Sequence, residues 1–311
     1  MHFLITGGAG FIGSHLTEKL LWEGHKVTVV DNLITGFRDY LPEHSNLKII
    51  FKDLCQCQPQ DFNGPIDGLA HLAAIPSVQH SWLQPVETNN NNFATTTAAV
   101  QLCNILEIPR LVFTSSAAVY GAPIELPLTE NHPTNPSSPY GLIKLMGEQY
   151  SYLFTEHYGL STINLRLFNV FGKRHSSGSC YSGVISTFIS AIQQGLPINI
   201  YGDGTQTRDF IYIEDVVTAF VQALTISLNK YSYFTCNVGS GQRTSLLELL
   251  EILQNYFPDK KICINFLEPQ LGDIKHSWAN ITKAEEILFF KPDSDMVYNL
   301  GKYLISIFKE V

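Results

Sequence analysis

Charge is scarce in this chain. Asp, Glu, Lys and Arg make up only 15% of its 311 residues, against about 25% in a typical domain. The 20 Lys and Arg are outnumbered by 28 Asp and Glu, for a net charge of −8. That disfavours a non-specific nucleic-acid binder, which needs excess positive charge. A small anionic ligand, which needs only a local cation cluster, stays open. No run of about 18 apolar residues occurs, so no membrane-spanning helix is expected. Strand-like sequence starts at His2, which leaves no room for a signal peptide. The six cysteines (55, 57, 103, 180, 236 and 263) lack any framework, and the close pair Cys55 and Cys57 has no second pair at zinc-like spacing. They read as ordinary free thiols with no metal site, in a reducing, cytoplasmic compartment. What is present is apolar: 45% hydrophobic and 12% aromatic residues exclude a disordered chain.

The length predicts about two domains. In the first half, β-rich runs (3–5, 26–30, 47–51, 68–72, 110–115 and 161–166) alternate with helical patterns (11–22, 92–106 and 140–158). This alternation predicts an α/β fold, a doubly wound parallel sheet covered on both faces. Beyond 171 the pattern loosens. Residues 173–183 read as a Ser/Gly-rich loop, 184–194, 214–226, 246–256 and 281–288 as helices, and 209–213 and 236–238 as strands. There is no internal repeat, and the Asn run 89–92 is read as opening a helix.

Between the first strand and the first helix stands Gly7-Gly8-Ala9-Gly10-Phe11-Ile12-Gly13. Glycines 7, 10 and 13 allow a tight turn and a close approach of backbone to a pyrophosphate, with helix N–H groups facing the anion. Asp31 ends the second strand, where a carboxylate accepts from ribose hydroxyls and repels a 2′-phosphate. A Rossmann site for NAD rather than NADP follows, with nearby Arg38 as the one feature working against that preference. Asp53, after the third strand, is placed to meet the adenine edge; a helix cap or surface carboxylate is the alternative.

Tyr140 and Lys144 lie four apart, on one face of a helix that Pro139 starts. A free tyrosine, with a pKa of about 10, is a poor base. A neighbouring ammonium favours phenolate and makes Tyr140 a candidate acid/base. Ser116 ends the fifth strand, at the sheet edge where ligands of such folds bind. Hydroxyl, phenol and cation together suit hydride transfer at a carbinol carbon.

TGGAGFIGSHL, HLAA, SSAAVYG, PYGLIK, RLFNVFG and GDGTQTRDFIYIEDV occur in this order over nearly the whole chain. They resemble the motifs of the extended short-chain dehydrogenases that act on nucleotide sugars. Within that family the chain is most similar to the UDP-hexose 4-epimerases, particularly short bacterial forms that accept N-acetylated sugars. The resemblance implies that Ser116, Tyr140 and Lys144 are catalytic. It implies cofactor contacts from Gly7, Gly10, Phe11, Ile12, Gly13, Asp31, Asn32, Asp53, Leu54, Leu72, Ala73, Ala74 and Asn92, with Tyr140 and Lys144. It implies substrate contacts from Ser116, Asn169, Arg208, Asp273 and Ser277. The family's dehydratases and decarboxylases carry an acidic residue after the strand-five hydroxyl, whereas this chain has Ala117-Ala118. Neither alanine can move a proton, so elimination loses its catalyst.

Arg208 matches the arginine that pairs with the substrate diphosphate, a role that suits a guanidinium fork. Alone it would read as a surface ion pair with Asp209 or Glu214. Two departures stand out. Gln270-Leu271-Gly272-Asp273 replaces the family's R-x-G-D and removes a second diphosphate arginine, and Asn280 replaces an aspartate. Ser277 matches the position bordering the sugar's C2 substituent, where a small residue admits an acetamido group. The expectation is a UDP-hexose 4-epimerase with tightly bound NAD, acting on UDP-N-acetylglucosamine/UDP-N-acetylgalactosamine and UDP-glucose/UDP-galactose. The alternatives are a UDP-glucuronate 4-epimerase, using Lys173 or Arg174 as the cation near C6, and a non-catalytic NAD-binding regulator. The expected division is an NAD-binding domain over 1–171, to which the chain returns near 205–240, and a smaller α/β substrate domain over 172–311. A homodimer, pairing helices 92–106 and 140–158 in a four-helix bundle, completes the expectation.

Overall fold

A computed structural model describes residues 1–175, 183–269 and 274–308. β1 (His2–Thr6), fully buried, passes through the glycine turn into α1 (Phe11–Trp22). β2 (Lys26–Asp31), β3 (Leu47–Phe51), β4 (Gly68–His71), α2 (Val78–Leu83), α3 (Pro85–Ile105), β5 (Arg110–Ser116), α4 (Pro139–Tyr158) and β6 (Ser161–Leu167) follow. Next come β7 (Asn169–Phe171), α5 (Val184–Gln194), β8 (Ile198–Tyr201), β9 (Thr207–Arg208), β10 (Phe210–Tyr212), α6 (Ile213–Thr225) and β11 (Tyr233–Val238). The chain continues through β12 (Thr244–Ser245), α7 (Leu246–Tyr256), β13 (Ile264–Leu267), β14 (His276–Ser277), α8 (Thr282–Leu288) and α9 (Met296–Phe308).

Seven strands form one parallel sheet, ordered β3-β2-β1-β4-β5-β6-β11. Successive side chains of β1 enter opposite cores, Phe3 and Ile5 on one face and Leu4 on the other. Strand order reverses between β1 and β4, and this switch point is where doubly wound sheets bind ligands. The last strand comes from residues 233–238, well after the chain has left the sheet at β6. Outside the sheet lie the β8–β13 pair and a three-stranded sheet with β9 between β12 and β14.

The helix expected from residue 92 begins at Pro85, and α2 precedes it. The Asn run therefore lies inside α3 rather than opening it. The physical reason is α3's buried polar face, which hides the apolar period. Thr88, Thr95 and Thr96 are buried, and each hydroxyl donates to the carbonyl four residues back. β8, β13 and α9 were also not anticipated: the two strands are only four residues long, too short for a clear alternation, and the apolar face of α9 was overlooked.

Candidate active site

At the carboxyl edge of the sheet lies a cleft of about 590 Å³. Its wall includes Gly7, Gly10, Phe11, Ile12, Gly13, Asp31, Asn32, Leu54, Leu72, Ala73, Ala74, Ser116, Tyr140, Lys144 and Asn169. Gly7 stands at φ +71°, and a Cβ there would lie 2.6 Å from the Ala73 nitrogen. On Gly13 a Cβ would lie 2.1 Å from the Gly7 carbonyl oxygen, so only glycine lets α1 start this close to β1. Around Gly10 the one close atom is the Gly7 oxygen at 3.2 Å, which leaves room for an anion at the helix N-terminus.

Asp31 is buried at the end of β2. Its carboxylate accepts from the backbone N–H groups of Ala9 and Leu33, both at 2.8 Å. Burial raises its pKa, and the two hydrogen bonds oppose that rise. Arg38 turns away and donates to the Leu41 carbonyl at 3.0 Å. Asp53 takes its alternative reading: it caps the 3₁₀ turn Leu54–Gln56 and accepts from Asn32 at 3.1 Å. Its neighbours Lys52 and Leu54 line the cleft, so the capping carboxylate stands at the rim and holds Asn32, which lines it too. Asn92 does not reach the wall. Buried in α3, it holds the backbone of Ile75, which does line the cleft, through two hydrogen bonds of 2.7 and 3.0 Å. The glycine turn and the carboxylate on β2 fit an adenine dinucleotide.

Ser138 caps α4, accepting from Gly141 at 3.1 Å, and Pro139 opens the helix. Ser81 of α2 accepts from the Tyr140 N–H at 3.1 Å. A Cβ on Gly141 would lie 2.5 Å from the Ala118 oxygen, so the glycine brings α4 against the end of β5. Ser116 Oγ accepts from Ala118 N–H, which leaves its hydrogen for the phenol oxygen of Tyr140. Lys144 donates to the Thr114 carbonyl at 2.7 Å, with Nζ 5.7 Å from the Tyr140 ring centre.

Burial pushes Tyr140 up to about 12, against the lowering effect of Ser116. Burial brings Lys144 down to about 8, so its ammonium persists at neutral pH. The sequence reading, in which the lysine activates the phenol, underweighted this desolvation.

Asn169 is exposed on the cleft wall, and its N–H donates to the Asp209 carbonyl. Arg208 and Ser277 stand outside the wall, paired across β9 and β14. The Arg208 guanidinium donates to the carbonyls of Thr207 and Lys275. Asp209, a conceivable ion-pair partner from sequence, is fully buried instead. Its carboxylate accepts from Ser240 N–H and Oγ–H and from the N–H groups of Gly241 and Ala279. Asn280 caps the turn into α8 by accepting from Thr282, a bond aspartate would also make. Asp273 and Gln270 lie outside the described residues.

Sequence reasoning missed a buried network behind Ser116. Ser115 donates to Glu148, which receives Arg166 through two bonds of 2.9 and 2.7 Å. Spacing carried a signal: Tyr140, Lys144 and Glu148 recur every four residues on α4. Tyr40, Arg174 and His175 also line the cleft and were not assigned to the cofactor side. Among the described residues no cluster of metal-binding type occurs.

A family profile described as the NAD dependent epimerase/dehydratase family matches residues 3–239. Among solved structures the chain is similar to UDP-N-acetylglucosamine 4-epimerase from Methanobrevibacter ruminantium M1 in complex with UDP-N-acetylmuramic acid. Identity is 36% and the TM-score 0.93, over 100% of this chain and 99% of that one. It is also similar to UDP-glucuronic acid 4-epimerase from Bacillus cereus in complex with UDP-glucuronic acid and NAD, at 30% identity and a TM-score of 0.89 over 100% of both chains. UDP-glucose 4-epimerase of Mycolicibacterium smegmatis is 32% identical over 313 residues, 97% of each chain. Carried by relatives that align nearly end to end, these matches make the chain a member of the NAD-dependent epimerase/dehydratase family.

Proposed function

We propose that the chain is a UDP-hexose 4-epimerase that works on NAD it retains. Its substrates are UDP-N-acetylglucosamine and UDP-glucose and their C4 epimers. One observation carries the reading: Tyr140, hydrogen-bonded to Ser116, and Lys144 share one cleft with the glycine turn and Asp31. What NAD supplies when bound is a reversible hydride acceptor whose cationic ring favours the phenolate. Tyr140 Oη takes the proton of the sugar's 4-hydroxyl, directly or through Ser116 Oγ, as C4 loses hydride. Lys144 holds positive charge beside the phenol. The 4-keto sugar turns over, and both transfers reverse on its other face. Beside Ser116, Ala117 and Ala118 form a 3₁₀ turn that offers no acid or base for elimination. Arg208 anchors the diphosphate, Asn169 meets the sugar, and Ser277 leaves space at C2.

A uronate requires a free cation near C6. Of the two candidates read from sequence, Lys173 and Arg174, the second is bidentate with Glu18 on the glycine-turn helix and so is turned toward α1. Offering UDP-glucose, UDP-N-acetylglucosamine and UDP-glucuronate separately to NAD-loaded protein tests the reading. Turnover of the first two is expected, and turnover of the uronate alone overturns it.

The assembly we propose is a homodimer on α3 and α4. Leu142 and Leu153, eleven residues apart and thus on one face of α4, are each about half exposed, as is Ile105 of α3. A monomer in sedimentation at micromolar concentration contradicts this. No described helix is long and apolar enough to cross a membrane. The described cysteines are free thiols, in keeping with a reducing cytoplasm.

A further inference from the structure

We propose that Arg174 and Glu18 form a clasp that slows release of the dinucleotide. Arg174 follows β7 at φ +67°, a left-handed conformation uncommon for a non-glycine residue. Three bonds hold its side chain. Nη1 donates to Ser14 Oγ at 3.1 Å and Glu18 Oε2 at 3.0 Å, and Nη2 to Glu18 Oε1 at 2.6 Å. The guanidinium carbon also lies 5.4 Å from the Tyr40 ring centre. His175, the next residue, stacks on Phe11 with ring centres 4.6 Å apart and planes 7° from parallel.

Phe11, Ser14 and Glu18 belong to α1, the helix opened by the glycine turn, and Tyr40 belongs to the segment after β2. Phe11, Tyr40, Arg174 and His175 all line the cleft. One guanidinium thus ties the segment after β7 to both walls of the dinucleotide half. Glu18, outside the cleft wall, acts through Arg174 and is a positioning residue. The geometry suits the chemistry: a reaction that returns its hydride needs no cofactor exchange, so slow release costs no turnover. The inference rests on the NAD reading of the cleft and is independent of the sugar.

The test loads purified protein with labelled NAD, adds excess unlabelled NAD, and follows loss of label. Glu18→Gln removes the carboxylate charge, and Arg174→Lys keeps its own charge but loses the fork. Each is expected to speed release by about tenfold, the scale of one charge-assisted pair. The double variant is expected to release no faster than the singles, because the two groups act as one device. Release from Glu18→Gln within about twofold of the parent overturns the clasp. That holds whether Arg174→Lys accelerates release, which marks a direct contact with the cofactor, or only the melting temperature of stripped protein falls, which marks a merely structural pair. A parent protein that takes up no label overturns the NAD reading itself, and the clasp with it.

Discussion

Tyr140 sits between opposing influences. Burial pushes its phenol up to about 12, and the hydrogen bond from Ser116 pulls it down. Removing the phenol while keeping the ring is therefore expected to spare cofactor binding and abolish proton transfer. Tyr140→Phe should retain NAD and lose about 10²–10⁴-fold in kcat, measured as epimer formed per NAD-loaded chain. A loss below about tenfold would show that another group carries the proton. Ser277 answers to a different property, volume. Ser277→Tyr is expected to cut kcat/KM for UDP-N-acetylglucosamine while sparing UDP-glucose. The ratio should shift by more than the 10–200-fold of roughly one methylene, since the ring excludes the acetamido group sterically. An unchanged ratio removes Ser277 from the sugar's surroundings. At this scale the sequence was most legible where chemistry depends on local spacing, as in the glycine turn, Asp31 and the Tyr140–Lys144 pair. It was least legible where partners meet from distant segments. Nothing local says that Asp209 gathers Ser240, Gly241 and Ala279, or that Arg174 reaches back to α1.

Helix α4 carries two of the three proposed catalytic side chains, Tyr140 and Lys144, and its register against β5 sets where the phenol lies. Three contacts fix that register: Lys144 to the Thr114 carbonyl, Glu148 to Ser115, and Gly147 over Phe113. Gly141 decides the approach at the catalytic end. Adding a methyl there places carbon 2.5 Å from the Ala118 oxygen, so the helix or the turn must retreat. Gly141→Ala is expected to cost about 1–3 kcal/mol in urea unfolding, as overpacking does, and to lower kcat about tenfold or more while NAD stays bound. Full activity at reduced stability would show that the register tolerates the shift. The start and end of α4 were readable because Pro139 and Gly159 mark them. α3 was misjudged by seven residues because its threonines satisfy themselves within the helix, and so pack inward without an apolar stripe.

At the scale of the whole molecule, a buried histidine in the motif HLAA makes stability depend on acid pH. Thr96 Oγ1 donates to the Asn92 carbonyl, so it accepts from His71 Nε2, and Thr6 Oγ1 donates to Nδ1. Burial, with the charge of Lys144, holds His71 down to about 3. The unfolded chain binds this proton below about pH 6.5, and the native state does not bind it until near pH 3. Unfolding is therefore favoured progressively as pH falls through that window, by at most about 1.4 kcal/mol per pH unit. His71→Gln is expected to flatten this part of the stability–pH curve, and a slope that persists in the variant assigns the effect to other groups.

The central claim is that C4 loses and regains the same hydrogen on a cofactor that stays bound through each turnover. Incubating NAD-loaded protein with UDP-N-acetylglucosamine deuterated at C4, in ordinary water with no added cofactor, tests it most directly. Mass spectrometry and NMR should show the C4 epimer with deuterium still at C4. Epimer formed with loss of deuterium to solvent, or no epimer at all, would contradict the account.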